Sequence, residues 1–270
     1  MTARNDEQSS VLPREVGKHA RALHSRRRRS LIDSSDIPRF RYHCEAAPSV
    51  TVVIPTLNEG ANLPFVLERV PSWIDEVIVV DGHSTDDTVE VAKAARPDIT
   101  VIYQTGRGKG NAIIGGIDAA TSDVVVLLDA DGSTDPADIP RFVAALRTGA
   151  DFAKGTRFVM GGGSADLTAL RRFGSKAFAS FVNLLFGSTY TDVLYGYNAF
   201  WRRCMNDLNI DCDGFEVEPL LAIRALRSNI RVVEVPSFEP KRLSGTSKLH
   251  AARDGMRILR MILGEWIRPR

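Results

Sequence analysis

Two aspartates separated by one residue, Asp129 and Asp131, follow directly on an apolar run at 124–128. In an extended chain, residues two apart project to the same side, so both carboxylates leave the strand tip together. Unpaired, they repel one another and raise each other's pKa. A divalent cation with oxygen ligands removes that conflict, and Mg²⁺ or Mn²⁺ keeps positions for water and a substrate diphosphate. The competing role is capping of the next helix, since Asp135-Pro136 reads as a helix start. Placement at the tip of an apolar strand favours the metal.

A second strand tip carries Asp81, after the run 76–80 and before Gly82-His83-Ser84-Thr85-Asp86. Its carboxylate is suited to accept an imide or amino hydrogen from a nucleobase. Ser84, Thr85 and Asp86 read as helix caps, and His83 as a solvated loop residue. A third segment, Gly106-Arg107-Gly108-Lys109-Gly110-Asn111, resembles a phosphate loop, because glycines permit close backbone approach and a helix N-terminus attracts anions. It fits neither G-x-x-x-x-G-K-[ST] nor G-x-G-x-x-G, which argues against a P-loop nucleotidase and a dinucleotide-binding fold.

These segments need a scaffold that brings strand tips together. Short β-branched runs at 50–54, 76–80, 99–103 and 124–128 alternate with helical patterns at 62–70, 84–95 and 110–120. That alternation predicts an α/β fold with a mostly parallel, Rossmann-like sheet flanked by helices. Active sites of such sheets lie beyond the carboxyl ends of the strands. Further on, the patterns predict helices at 139–147, 167–186, 200–208 and 216–227, and strands at 152–158 and 231–235. A mobile loop is expected at 160–164 and a polar loop at 241–248.

With 44% hydrophobic and 25% charged residues, the 270-residue chain has ample material for a buried core. Three cysteines, Cys44, Cys204 and Cys212, are too few for a disulfide framework. The net charge of +2 divides unevenly: residues 1–48 carry ten Lys/Arg against six Asp/Glu, and 241–270 eight against two, leaving 49–240 acidic. Residues 1–48 are expected to be a basic, largely disordered arm, with a short helix near 14–23. Residues 49–248 form the catalytic domain, and 249–270 a helix whose apolar face, including Trp266, is bordered by arginines. No run approaches the ~20 apolar residues of a spanning helix, and the first ten residues do not read as a signal peptide. A cytoplasmic location follows, with any membrane contact peripheral.

The order of motifs is itself specific. Val52-Val53-Ile54-Pro55-Thr56-Leu57-Asn58-Glu59, Val80-Asp81-Gly82-His83-Ser84-Thr85-Asp86, Gly108-Lys109-Gly110-Asn111-Ala112 and Leu128-Asp129-Ala130-Asp131 resemble family-2 glycosyltransferases of the GT-A fold. Within that family the chain looks most like the dolichol- or polyprenyl-phosphate mannose (or glucose) synthases. Gly155-Thr156-Arg157-Phe158-Val159 is similar to that branch's Gly-Ser-Arg-Tyr-Val, and Arg171 and Ser175 to its Arg-x-x-x-Ser. Arg242, Gly245, Ser247 and Lys248 fit its Arg-x-x-Gly-x-Ser-Lys. The resemblance implies inverting sugar transfer from a GDP- or UDP-linked donor. Pro55, Glu59, Asp81, Lys109, Asp129, Ala130, Ser247 and Lys248 would then contact the donor. Asp129 and Asp131 would hold Mg²⁺ or Mn²⁺ on the diphosphate, and Arg242 would close over the leaving group. Arg157, Arg171 and Ser175 would bind a lipid phosphate.

A lipid phosphate oxyanion needs no general base. A hydroxyl acceptor of a glycan or metabolite does, and Glu216 or Glu218 occupies the region where family-2 enzymes carry one. Dipole-stabilised carboxylates at a helix N-terminus are the alternative for both. Two positions depart from the resembling pattern. Asn198 replaces the arginine of Gly-Phe-Arg-Ala-Phe, and Gly82 replaces the second aspartate of Asp-Asp-Gly-Ser. Asp192 reads as a structural partner for an arginine. From another functional class, a non-catalytic nucleotide- or nucleic-acid-binding module would use the basic ends without turnover; nucleic acid is the disfavoured partner.

Overall fold

The structure, a computed structural model, describes residues 47–269. The basic arm, its short helix and Cys44 lie outside the described residues. β1 (Val50–Thr56), β2 (Glu76–Asp81), β3 (Thr100–Tyr103) and β4 (Val124–Leu127) alternate with α1 (Leu63–Arg69), α2 (Thr88–Ala95) and α3 (Lys109–Ala119). Then follow α4 (Ile139–Arg147), β5 (Phe152–Thr156), β6 (Gly163–Ser164), α5 (Ala169–Phe186) and β7 (Asn198–Trp201). The chain continues with α6 (Met205–Leu208), α7 (Val217–Arg227), β8 (Val232–Pro236), β9 (Phe238–Glu239) and α8 (Ala251–Ile267).

Seven strands make one sheet in the order β3-β2-β1-β4-β7-β5-β8, and β6 pairs with β9. The first four are mutually parallel, and β7 runs antiparallel to both β4 and β5. β4 is buried on both faces, as an unbroken apolar strand in a covered sheet must be. Along β1, Val52 and Ile54 pack beneath α1 and α4, while Val53 packs on the opposite side with α3 and α7. A third cluster joins α5, α7 and α8 through Val182, Ile223, Ile258 and Ile262.

Three expectations are corrected. Residues 198–201 form a strand, not the start of a helix at 200–208; Ala199 and Phe200 are buried between β4 and β5. Pairing with two neighbours outweighs the helical spacing there. Helix α2 begins at Thr88, not at residue 84. The turn before it is used to clasp the β1–α1 loop, with Asn58 donating its N–H to Ser84 Oγ (2.8 Å) and accepting from Thr85 N (2.7 Å). Within 160–164, Gly163 and Ser164 are paired to β9 instead of belonging to a free loop.

Candidate active site

The carboxyl ends of β1, β2 and β4 converge on a cavity of about 270 Å³. Its lining includes Pro55, Glu59, Lys109, Asp129, Ala130 and Asp131. It also includes Arg157, Arg171, Glu218, Arg242, Ser247 and Lys248. Residues far apart in sequence thus meet where a doubly wound sheet places its ligands.

Asp129 and Asp131 share one wall. The Lys109 ammonium lies 2.6 Å from Asp129 Oδ1 and 2.7 Å from Glu218 Oε1. Burial alone would lower the Lys109 pKa, yet the two carboxylates outweigh it and hold the side chain protonated above the usual lysine value. Burial pushes the Glu218 carboxyl up, against the pull of Lys109. Asp131 is ion-paired to Arg242, and its Oδ1 accepts from Ser133 N at 2.8 Å. Arg242 also reaches Glu59 Oε1 (3.3 Å), as does Lys248 Nζ (2.8 Å). The 241–248 segment is therefore strapped across the cavity by cations that grip its acids. Leu243 N donates to Asp131 O (3.2 Å), and Asn62 Nδ2 to Ser244 O (3.2 Å).

The donor set at Asp129 and Asp131 fits Mg²⁺ or Mn²⁺. Both carboxylates line the cavity, each countered by one cationic side chain. Such ions take one or two carboxylates and complete their shell with water and phosphate oxygens. Among the described residues no three His, Cys, Asp or Glu gather as a closed metal cage, and a cation finished by substrate oxygens requires none.

The phosphate-loop reading of 106–111 needs correction. The amides of Gly110 and Asn111 donate to the Asp213 carbonyl, at 2.8 and 3.4 Å. Gly108 adopts φ 91° directly beneath that carbonyl, where a Cβ would clash. The α3 N-terminus is thus tied to the 212–214 loop, and the segment offers an anion the Lys109 side chain.

Asp81 lies just behind the lining, 1% exposed, with Gly82 and Gln104 in front. Its Oδ2 accepts from Ser84 N (2.9 Å), while Oδ1 is buried without a partner among the described residues. Glu216 and Glu218 part company. Glu218 faces the cavity, whereas Glu216 accepts from Arg257 Nη2 (2.8 Å) beside a separate outer groove.

Arg157 lines the cavity but commits its guanidinium to Asp192 and Glu239. Nε donates to Asp192 Oδ2 at 2.7 Å, and Nη1 to Glu239 Oε1 at 3.1 Å. All three are buried, and breaking such a group by removing one partner costs about 3–5 kcal/mol. Asp192 is the arginine partner expected of it. Ser175 is buried on the inner side of α5 and is not part of the lining, whereas Arg171 reaches the cavity beside Asp166, 3.2 Å away. Sequence reasoning missed Gln104, Tyr195 and Glu239, which no motif marks.

The seven-stranded, mostly parallel sheet with its strand-end cavity defines a fold of the GT-A type. Residues 51–207 match the family described as glycosyl transferase family 2. The chain is 34% identical over 214 residues to undecaprenyl-phosphate mannosyltransferase of Micrococcus luteus, covering 74% of this chain and 87% of that protein. It is 34% identical over 211 residues to polyprenol monophosphomannose synthase of Mycolicibacterium smegmatis, covering 73% and 80%. Among solved structures it is similar to glucosyl-3-phosphoglycerate synthase of Mycobacterium tuberculosis in complex with Mn²⁺, uridine diphosphate and phosphoglyceric acid. There the TM-score is 0.67 at 23% identity, covering 83% of this chain and 80% of that one, a likeness of fold. The chain belongs to glycosyltransferase family 2 and is a glycosyltransferase enzyme.

Proposed function

We propose that the enzyme transfers a sugar, with inversion, from a nucleoside diphosphate donor to a polyprenyl phosphate. The observation that carries the acceptor assignment is the state of the two candidate bases. Glu216 is turned to Arg257 outside the cavity, and Glu218 is locked to Lys109. Both carboxylates are engaged by cations, and a phosphate oxyanion, already ionised at neutral pH, needs no base. Both relatives described above carry a polyprenyl phosphate acceptor or product in their names, which supports the same reading.

In this reading the base rests in front of Asp81, whose unpartnered Oδ1 accepts an imide or amino hydrogen. Pro55, Glu59 and Ala130 line the nucleotide path. Asp129 and Asp131 hold the divalent cation, which when bound neutralises diphosphate charge. The acceptor oxygen, oriented by Arg171, attacks the anomeric carbon from the side opposite the diphosphate. As the bond to the leaving oxygen breaks, negative charge moves onto the diphosphate, where Arg242, Lys248 and Lys109 stabilise it. Ser247 lies beside them in the lining.

A membrane-bound acceptor suits the outer surface of α5 and α8. Leu170, Phe173 and Leu184 on α5, and Met256, Trp266 and Ile267 on α8, are exposed among Arg and Lys residues. No helix among the described residues is long and apolar enough to cross a membrane, so contact through this surface would be interfacial.

Glu218→Gln tests the acceptor assignment. Loss of a true general base costs about 10²–10⁴-fold. We expect kcat to fall by no more than about tenfold, from the looser hold on Lys109. A loss in the 10²–10⁴ range at unchanged donor KM would assign the acceptor to a hydroxyl.

A further inference from the structure

Lys154 stands in the middle of β5, fully buried, in a strand buried along its whole length. A buried ammonium is strongly unfavourable unless the surroundings compensate it. Among the described residues it forms no ion pair within 4.0 Å. Its one hydrogen bond runs from Nζ to Tyr195 O at 3.3 Å.

The register shows what surrounds it. Lys154 lies directly opposite Asn198 on β7 and Glu234 on β8. Opposed residues share a face of the sheet, so Glu234, Lys154 and Asn198 form a polar row, continued by Leu127 and Val53. Val53 and Leu127 belong to the face covered by α3 and α7, from which Lys109 and Glu218 project. Asn198 Nδ2 donates to the same Tyr195 carbonyl (3.4 Å) and to Gly196 O (3.0 Å), while its Oδ1 is buried without a partner. Together the two side chains grip the backbone at 195–196 from below.

That backbone bears on the site. A Cβ at Gly196 would stand 2.8 Å from Asp129 Oδ2 and 2.9 Å from Lys109 Nζ. Any shift of Gly196 therefore moves against the Lys109–Asp129 pair. Lys109 pairs with both Asp129 and Glu218 above that backbone. Burial, with Arg157 nearby, holds the Lys154 pKa below the usual lysine value despite the opposing pull of Asp192, Glu234 and Glu218.

We propose that Lys154 is a positioning residue that, together with Asn198 across the β5–β7 register, holds the 195–196 backbone in place. Through Tyr195 and Gly196 it sets the Asp129–Lys109 pair. The inference rests on the donor-site reading of that pair.

The test is a charge swap, read by steady-state transfer kinetics and by calorimetric binding of GDP or UDP with Mn²⁺. Lys154→Met and Asn198→Arg should each lower kcat about thirtyfold with donor KM changed less than about threefold, and Lys154→Met/Asn198→Arg should recover to within about threefold of wild type, a coupling expected only of contacting residues. A merely structural lysine would give additive losses. Wild-type kcat in Lys154→Met, or a double variant that is inactive or unfolded, overturns the proposal. If Lys154→Met does not fold, the double variant alone decides. Failure of the donor-site reading looks different: the wild-type protein itself would then bind neither nucleotide.

Discussion

Asp131→Ala is expected to lower sugar transfer by at least about 10³-fold, at a folding stability close to wild type. Two contributions combine. The substitution removes one of two carboxylates that fit the divalent cation, and it releases Arg242 from the strap across the cavity. Loss of one preorganised charge contact at a reacting centre costs about 10²–10³ in rate, so losing both exceeds either. Stability should hold because the turn is tied independently, with Asp129 N donating to Thr134 Oγ1 at 3.0 Å. Asp135→Asn is the matched control. Asp135 lies in the same loop but pairs with Arg69 at the surface, where an ion pair contributes little. Its activity should stay within about twofold of wild type. Steady-state kinetics with a thermal melt of each variant checks both statements.

Arg242→Ala is expected to lower kcat by about 10²–10³ while changing donor KM much less. In the structure the guanidinium bridges Glu59 and Asp131, holding the 241–248 segment over the site. In the proposed reaction its partner becomes the departing diphosphate, which bears more charge in the transition state than in the bound donor. A contact strengthened only there is lost from kcat and kcat/KM alike. Arg242→Lys should recover little, because the shorter reach and point charge of lysine lack the rigid planar fork with which the guanidinium meets Glu59 and Asp131. An equal rise in donor KM with kcat unchanged would assign Arg242 to ground-state binding.

Much of this site was legible because its residues sit at strand tips. Asp81, Asp129 and Asp131 each follow a β-branched or apolar run, and parallel strands bring such tips together whatever the loops do. The strap was legible only through the resemblance, since nothing in Arg242-Leu243-Ser244 says which wall it faces. Glu216 and Glu218 show where sequence stops. Two residues apart on a helix point to different sides, and only the packing of α7 decides that Glu218 meets Lys109 while Glu216 meets Arg257. The glycine-rich segment misled for a related reason. Its free amides are an anion site only if no carbonyl takes them, and Asp213, a hundred residues on, does. The strand at Asn198–Trp201 was hidden because its spacing also suits a helix; two partner strands settled the matter. The Arg157–Asp192–Glu239 group likewise joins three segments that no local pattern relates.

The central claim is metal-assisted transfer to a phosphate, and one assay addresses it directly. Purified enzyme is incubated with labelled GDP- or UDP-hexose and either undecaprenyl phosphate or undecaprenol, with Mn²⁺ or with excess EDTA. Label should enter the organic phase only with the phosphate and Mn²⁺, as a mild-acid-labile product, and not at all with Asp131→Ala. Equal labelling of the alcohol, or transfer that persists undiminished in EDTA, would contradict that claim.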